Sequence, residues 1–230
     1  MLAIFAAELG LAAVPSNSRV EGALRLPLTN RLPILEKQGP QGREALRKMA
    51  FDKKETLENR WRAITAYGRI YKGDYQDVLE KALNSSEWFM RNAALIVAPY
   101  AHREWAVKWA RLMMHDPALV VRTAAVQTLR QLNASESRDL LWVKFYSSEN
   151  YRSGESLWIR RHILEALVQF AGPGQEGKFV AVLNDRDASL HPFAIQGLEK
   201  VTHEKFTTAE QWSSWWQVRQ QAQAPSRKKI

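Results

Sequence analysis

Any chemistry in this 230-residue chain is done without sulfur nucleophiles. It has no cysteine, so it offers no thiolate, no disulfide and no Cys-ligated metal site. Gly172, Gly174 and Gly177 spell G-x-G-x-x-G, the spacing of a phosphate-cradling turn. That turn needs a preceding strand and an open backbone, whereas this one follows a helical pattern and holds Pro173, so it reads as a helix break. The histidines are His102, His115, His162, His191 and His203, and no two have metal-ligand spacing such as H-x-x-x-H. His102-Arg103-Glu104 opens like a zinc deaminase motif, but that motif needs two cysteines. No nucleophile elbow, P-loop or acid pair is visible. The residues point to a non-enzymatic protein without cofactor or metal.

What the chain offers instead is cations interleaved with aromatics. Trp105 and Trp109 lie four apart, with Arg103, Lys108 and Arg111 around them, and Trp61 stands between Arg60 and Arg62. Two readings are open. The interleaving forms a cationic groove with stacking platforms, or the large rings fill wide gaps between layers while long cationic side chains cover their edges. A formal net charge of +9 favours acidic partners, nucleic acid or anionic headgroups. The candidate binding residues are Arg103, Trp105, Lys108, Trp109 and Arg111, joined by Tyr151 and Arg152 of a polar stretch, Ser147 to Gly154.

These residues must be held by helices, and the helices repeat. With Arg60, Arg91, Arg122, Arg160 and His191 placed in one column, the positions three further on are Ala63, Ala94, Ala125, Ile163 and Ala194. The next column holds Ile64, Leu95, Val126, Leu164 and Ile195, and seven after the anchor stand Tyr67, Ala98, Leu129, Leu167 and Leu198. The anchors are 31, 31, 38 and 31 residues apart. Self-similarity at such a period marks a solenoid, whose units bury their apolar faces only against one another. The small residues let neighbouring helices approach closely. The anchor cations have two uses open to them: a ladder bonding an acid or helix-end carbonyls of the adjacent unit, with Asp116 a partner for Arg91 or Arg122, or a row facing a ligand.

The phrase DPALVVRTAAVQTL, Asp116 to Leu129, resembles the second helix of a HEAT repeat, in the short form found in bacterial repeats related to phycobilisome lyases. Leu198 to Thr202, Lys205-Phe206, Gln211-Trp212 and Trp215-Trp216 resemble the closing segment of such proteins, a turn of the form LTG-x-x-F leading to a W-x-x-WW helix; His203 stands where that pattern has Gly. The resemblance implies an all-α fold, a right-handed α-solenoid of about five to six helix pairs, and the role of an interaction scaffold. It transfers no bilin-binding residue. HEAT-like alkylpurine DNA glycosylases supply a precedent for nucleic-acid binding, but their catalytic Asp has no counterpart after Trp215-Trp216.

The chain is expected to divide into an N-terminal segment, 1–33, a repeat domain, 34–222, and a basic tail, 223–230. Leu2 to Val14 reads either as a remnant signal peptide, despite Glu8 and the lack of a preceding cation, or as a first helix; it is too short to span a membrane. Cytoplasmic residence is slightly favoured over export. Pro15, Pro27 and Pro33 mark an irregular connection up to residue 33. The longer third period is attributed to Ser147–Gly154, read as a surface loop on the binding face. Trp212, Trp215 and Trp216 read as a cap sealing the last repeat. The partner is an unknown protein, with nucleic acid the alternative, and the chain is expected to be a monomer with no integral membrane segment. The register itself is testable: Ala125→Asp places an unpaired charge between layers and should strongly lower cooperative thermal stability. An unchanged melting curve would remove the register.

Overall fold

The computed structural model describes residues 16–73 and 75–223. The fold is an all-α helical repeat, with thirteen α-helices among these residues and one two-stranded hairpin. Contacts divide the chain into two compact units, one up to Ala101 and one from His102. The first holds α1 (Ser16–Leu24), α2 (Leu28–Glu36), α3 (Gly39–Phe51), α4 (Leu57–Ile70), α5 (Tyr75–Leu83) and α6 (Trp88–Val97). The second holds α7 (Arg103–Met113), α8 (Leu119–Gln131), α9 (Arg138–Phe145), the hairpin β1 (Tyr151–Arg152) and β2 (Glu155–Ser156), α10 (Ile159–Gln169), α11 (Glu176–Val182), α12 (His191–Thr202) and α13 (Ala209–Gln223). In the first unit α3 packs on α4, α5 on α6, and α4 on α6; in the second α7 packs on α8, α9 on α10, α11 on α12, and α8 on α10 on α12.

The anchored helices are α4, α6, α8, α10 and α12, and their shared columns are interior except at Ile195, which is half-buried. Ala63, Ala94, Ala125, Ile163 and Ala194 have no exposed surface, nor do Ile64, Leu95, Val126 and Leu164. Ala98, Leu129, Leu167 and Leu198 are equally enclosed and Tyr67 is 1% exposed. Each large apolar side chain so buried contributes about 1.5–3 kcal/mol. Short polar side chains close the turns that enter these helices. Thr56 Oγ1 accepts from Asn59 N (3.1 Å), Ser85 Oγ from Glu87 N (3.2 Å), Asp116 Oδ1 from Ala118 N (2.8 Å) and Asp185 Oδ1 from Asp187 N (3.0 Å). Helix α8 therefore begins at Leu119, after the Asp116-Pro117 turn, rather than at Pro117.

The anchor side chains bond along the stack. Arg60 Nε donates to the Ala50 carbonyl at 3.2 Å, and its two terminal nitrogens hold both Glu87 oxygens at 2.8 and 2.5 Å. Arg91 donates to the Ser85 and Ser86 carbonyls at 2.8 and 2.9 Å. Arg122 takes the carbonyls of Asp116, Pro117 and Glu149, and its Nε donates to Asn150 Oδ1 at 3.2 Å. Arg160, with no exposed surface, donates to the Phe145 carbonyl at 3.1 Å and to both Asp185 oxygens at 3.2 and 2.5 Å. His191 Nε2 lies 3.0 Å from the Asp185 carbonyl, to which it donates in its Nε2–H tautomer. Each fork thus ties its own helix pair together, and those of Arg60, Arg122 and Arg160 reach on to the turn of the next.

Several expectations need correction. Residues 16–24 and 28–36 are helical, not an irregular connection: Pro27 precedes α2 as its N-cap, and Pro33 sits inside α2, where it removes the N–H that would bond the Thr29 carbonyl. Ser147–Gly154 is not a plain surface loop, because Asn150 is fully buried beneath Arg122 and the remainder folds as the hairpin, closed by Leu157 N to the Asn150 carbonyl at 2.9 Å. The G-x-G-x-x-G glycines serve turn and packing: Gly174 has φ +81°, and a Cβ on Gly177 would come within 2.9 Å of the Trp216 ring. Leu2 to Val14 and the basic residues from Ala224 lie outside the described residues.

His203 occupies the left-handed region, φ 62°, at the end of α12. Glycine adopts this conformation without a Cβ penalty. His203→Gly should raise unfolding stability by about 0.5–1 kcal/mol, relieved strain less the greater unfolded-state freedom of Gly. A loss in urea titration would show that the imidazole itself is needed.

Burial acts to raise the Asp185 pKa, but hydrogen bonds from Arg160 and the Asp187 amide, with the Arg160 charge, hold it below the ordinary range. The Arg60 hydrogen bonds do the same for Glu87. A carboxylate depressed in the folded state stabilises above its unfolded pKa, about 4, and that contribution disappears as pH falls through the folded value. Asp185→Ala should cost about 3–5 kcal/mol at neutral pH, because Arg160 is left buried and unpaired, while adding Arg160→Met should recover most of it. The double variant should also lose less stability than the parent between about pH 4 and pH 2. Additive losses in urea titration would contradict the pairing.

Candidate functional site

Helix α7 holds most of the residues singled out from the sequence. Glu104 in its first turn and Arg111 in its last complement the helix dipole. Ala106, Val107 and Ala110 are buried, and α7 packs on α8. Trp105 and Trp109 share one face, rings tilted at 6.3 Å between centroids and half-buried. Arg103, Val107 and Arg111 share another, two residues out of phase and so about 200° round the helix. The indole nitrogen of Trp109 is enclosed and has no hydrogen-bond partner among the described residues. The tryptophans therefore offer no open stacking platform beside Arg103 and Arg111, while Lys108, three residues after Trp105, lies nearer their face. Trp61 likewise points away from its neighbours, its Nε1 donating to Asn92 Oδ1 at 3.2 Å while Arg60 serves the stack.

The open face of α7 borders a groove of about 610 Å³, completed by Glu136 and by Leu140 of α9. Val107, Leu112 and Leu140 make its apolar floor, and Leu112 is 52% exposed. Arg103, Lys108 and Arg111 stand on its rim. Arg103 pairs with Glu136 at 2.9 Å, both half exposed, a contact worth about 0–1 kcal/mol. Lys108 and Arg111 have no carboxylate in ion-pair range among the described residues. His115 closes one end: the Lys144 ammonium donates to its Nδ1 at 3.0 Å and to Glu149 at 2.7 Å. Burial pushes the Glu149 pKa up, but the Lys144 hydrogen bond and charge outweigh this and hold it below the carboxylate range.

Tyr151 and Arg152 are not brought to this groove. The Tyr151 ring lies 4.4 Å from the Arg160 guanidinium, Phe145 lies 4.3 Å away, and Arg152 is exposed on the hairpin. A separate polar recess of about 770 Å³ lies beside Tyr151 and includes Asp185 and Asp187. Their carboxylates are engaged, Asp185 by Arg160 and Asp187 by the Ser189 amide and hydroxyl at 3.1 and 2.6 Å. Trp212 is fully buried and donates to the Phe206 carbonyl at 3.1 Å, with Trp215 edge-on against it at 5.6 Å. Helix α13 packs on α11, with Trp216 over Gly177. The anchor arginines, used within the stack, present no row of free cations.

Sequence reasoning found the rim but not the floor, because Leu112 and Leu140 lie in different helices and look like ordinary apolar positions. Among the described residues no group of three or more His, Asp or Glu side chains is placed to hold a metal ion, and no helix is long and apolar enough to cross a membrane.

No protein-family model matches the chain, and no curated protein matches it. Among solved structures it is similar to an engineered protein from the Northeast Structural Genomics Consortium, at 15% identity and a TM-score of 0.51, over 84% of this chain and 94% of that one. At that identity the likeness concerns the fold alone.

Proposed function

We propose that the chain is a HEAT-like repeat protein acting as a non-enzymatic interaction scaffold, and that the α7 groove receives an acidic amphipathic segment of a partner protein. The observation that carries this reading is the pairing of an exposed apolar floor, Leu112 above all, with the unneutralised rim cations Lys108 and Arg111. An amphipathic helix would seat its apolar stripe on Val107, Leu112 and Leu140 and turn flanking carboxylates toward the rim. Charge of this kind sets orientation and speeds encounter, and the floor supplies the desolvated centre. The recurrence of the anchor columns and the five anchored helices support the repeat assignment. Nucleic acid is less favoured because the α7 tryptophans are half-buried and turned away from Arg103 and Arg111.

The test is fluorescence anisotropy with a labelled peptide bearing Leu or Phe at i, i+3, i+4 and i+7 among glutamates, beside labelled single- and double-stranded DNA and RNA. Peptide binding should weaken about tenfold in Leu112→Asp and in Lys108→Glu/Arg111→Glu. Peptide binding indifferent to both variants would overturn the groove. Nucleic-acid binding that collapses between about 50 and about 200 mM salt would replace the protein partner by nucleic acid.

A further inference from the structure

Among the described residues, the interior cations are bonded with one exception. Arg60, Arg122 and Arg160 each use their fork on carbonyls and on an acid or amide. Arg31 of α2 is only 8% exposed, yet its Nε and Nη1 are enclosed and have no hydrogen-bond partner among the described residues. The charges facing it are Arg62, Arg69 and Glu58, all on α4, which packs on α2. Glu58 is already paired with Arg62, and Arg62 also donates to the Leu24 carbonyl at 3.1 Å. Arg69 bonds the Thr65 carbonyl at 3.2 Å and lies 5.6 Å from the centre of the Tyr100 ring, where Lys72 joins it at 5.9 Å.

Arg62 and Arg69 are seven residues apart and so share one face of α4. Three guanidiniums against one carboxylate leave a net two positive charges in this cluster, one of them the buried, unbonded fork of Arg31 itself. Burial, then the charges of Arg62 and Arg69, lower the Arg31 pKa, as expected for a cation lacking its counter-ion. A chain does not gain by enclosing such a group unless an anion completes it. A phosphate monoester carries about −1.5 to −2 charges and three strong acceptor oxygens, which matches the surplus charge and supplies the acceptors that Arg31 lacks.

We infer that Arg31, Arg62 and Arg69 form a binding site for a phosphate dianion, free or carried as a monoester. The site stands apart from the α7 groove and does not depend on that reading. Calorimetric titration and thermal melting of the full chain with inorganic phosphate, and with phenyl phosphate, against sodium chloride at equal ionic strength, test it. Saturable binding and a saturable rise in Tm are expected with phosphate and not with chloride. Tighter binding of phenyl phosphate would identify an esterified ligand, and equal or weaker binding the free ion; both support the site. Arg31→Met should melt no lower than the parent without ligand, and Arg31→Met and Arg69→Gln should each weaken phosphate binding by about tenfold or more. Absence of saturable binding in the parent would overturn the site. Undiminished binding in Arg69→Gln, or in folded Arg31→Met, would leave an adventitious ion only and overturn it equally.

Discussion

The structure depends on the planar fork of an arginine placed near the start of α4, α6, α8 and α10. A guanidinium offers N–H groups in several directions at once, so one side chain can bond backwards to its own turn and forwards to the next unit. Arg160 does so with no exposed surface, holding the Phe145 carbonyl on one side and Asp185 on the other. Burying the charge is tolerable only because every direction is satisfied, which makes the geometry demanding. Apolar columns of Ala, Leu and Ile would stack at many offsets; the fork admits few. The hydrophobic columns supply the driving force, and the arginines select one register.

At His191 the device changes. An imidazole cannot bond in as many directions, and among the described residues it makes the backward bond alone, to the Asp185 carbonyl. From α12 onward the chain closes by aromatic packing: Trp212 is fully enclosed and Trp216 lies against a glycine in α11. The loss of the fork at α12 is thus followed directly by the tryptophan-rich α13.

The sequence was most legible where repetition made the physics redundant. Five anchors with matched columns located the second helices and their buried positions because the same constraint acts on each. It was least legible where one residue had to be read alone. Pro27 and Pro33 resemble breakers, yet the first caps α2 and the second costs it a single backbone bond, which a nine-residue helix packed on α3 and α4 tolerates. Trp105 and Arg103 look like one patch in sequence, but a two-residue offset sends them to different faces. The groove floor escaped because Leu112 and Leu140 meet only through the packing of α7 and α9, and nothing in the sequence marks Arg31 as buried.

The ladder measures distance from arginine to acceptor, not from anchor to anchor. Arg60 reaches Glu87 after 27 residues, Arg122 reaches Asn150 after 28, and Arg160 reaches Asp185 after 25. The extra residues of the long period therefore come after the acceptor, in the hairpin, whose base is pinned and whose tip, Ser153-Gly154, turns through left-handed backbone in the solvent. Because closing a longer loop adds only about 0.6 kcal/mol per doubling, this tip is a graft port, a point where foreign sequence can be carried without altering how the helices stack.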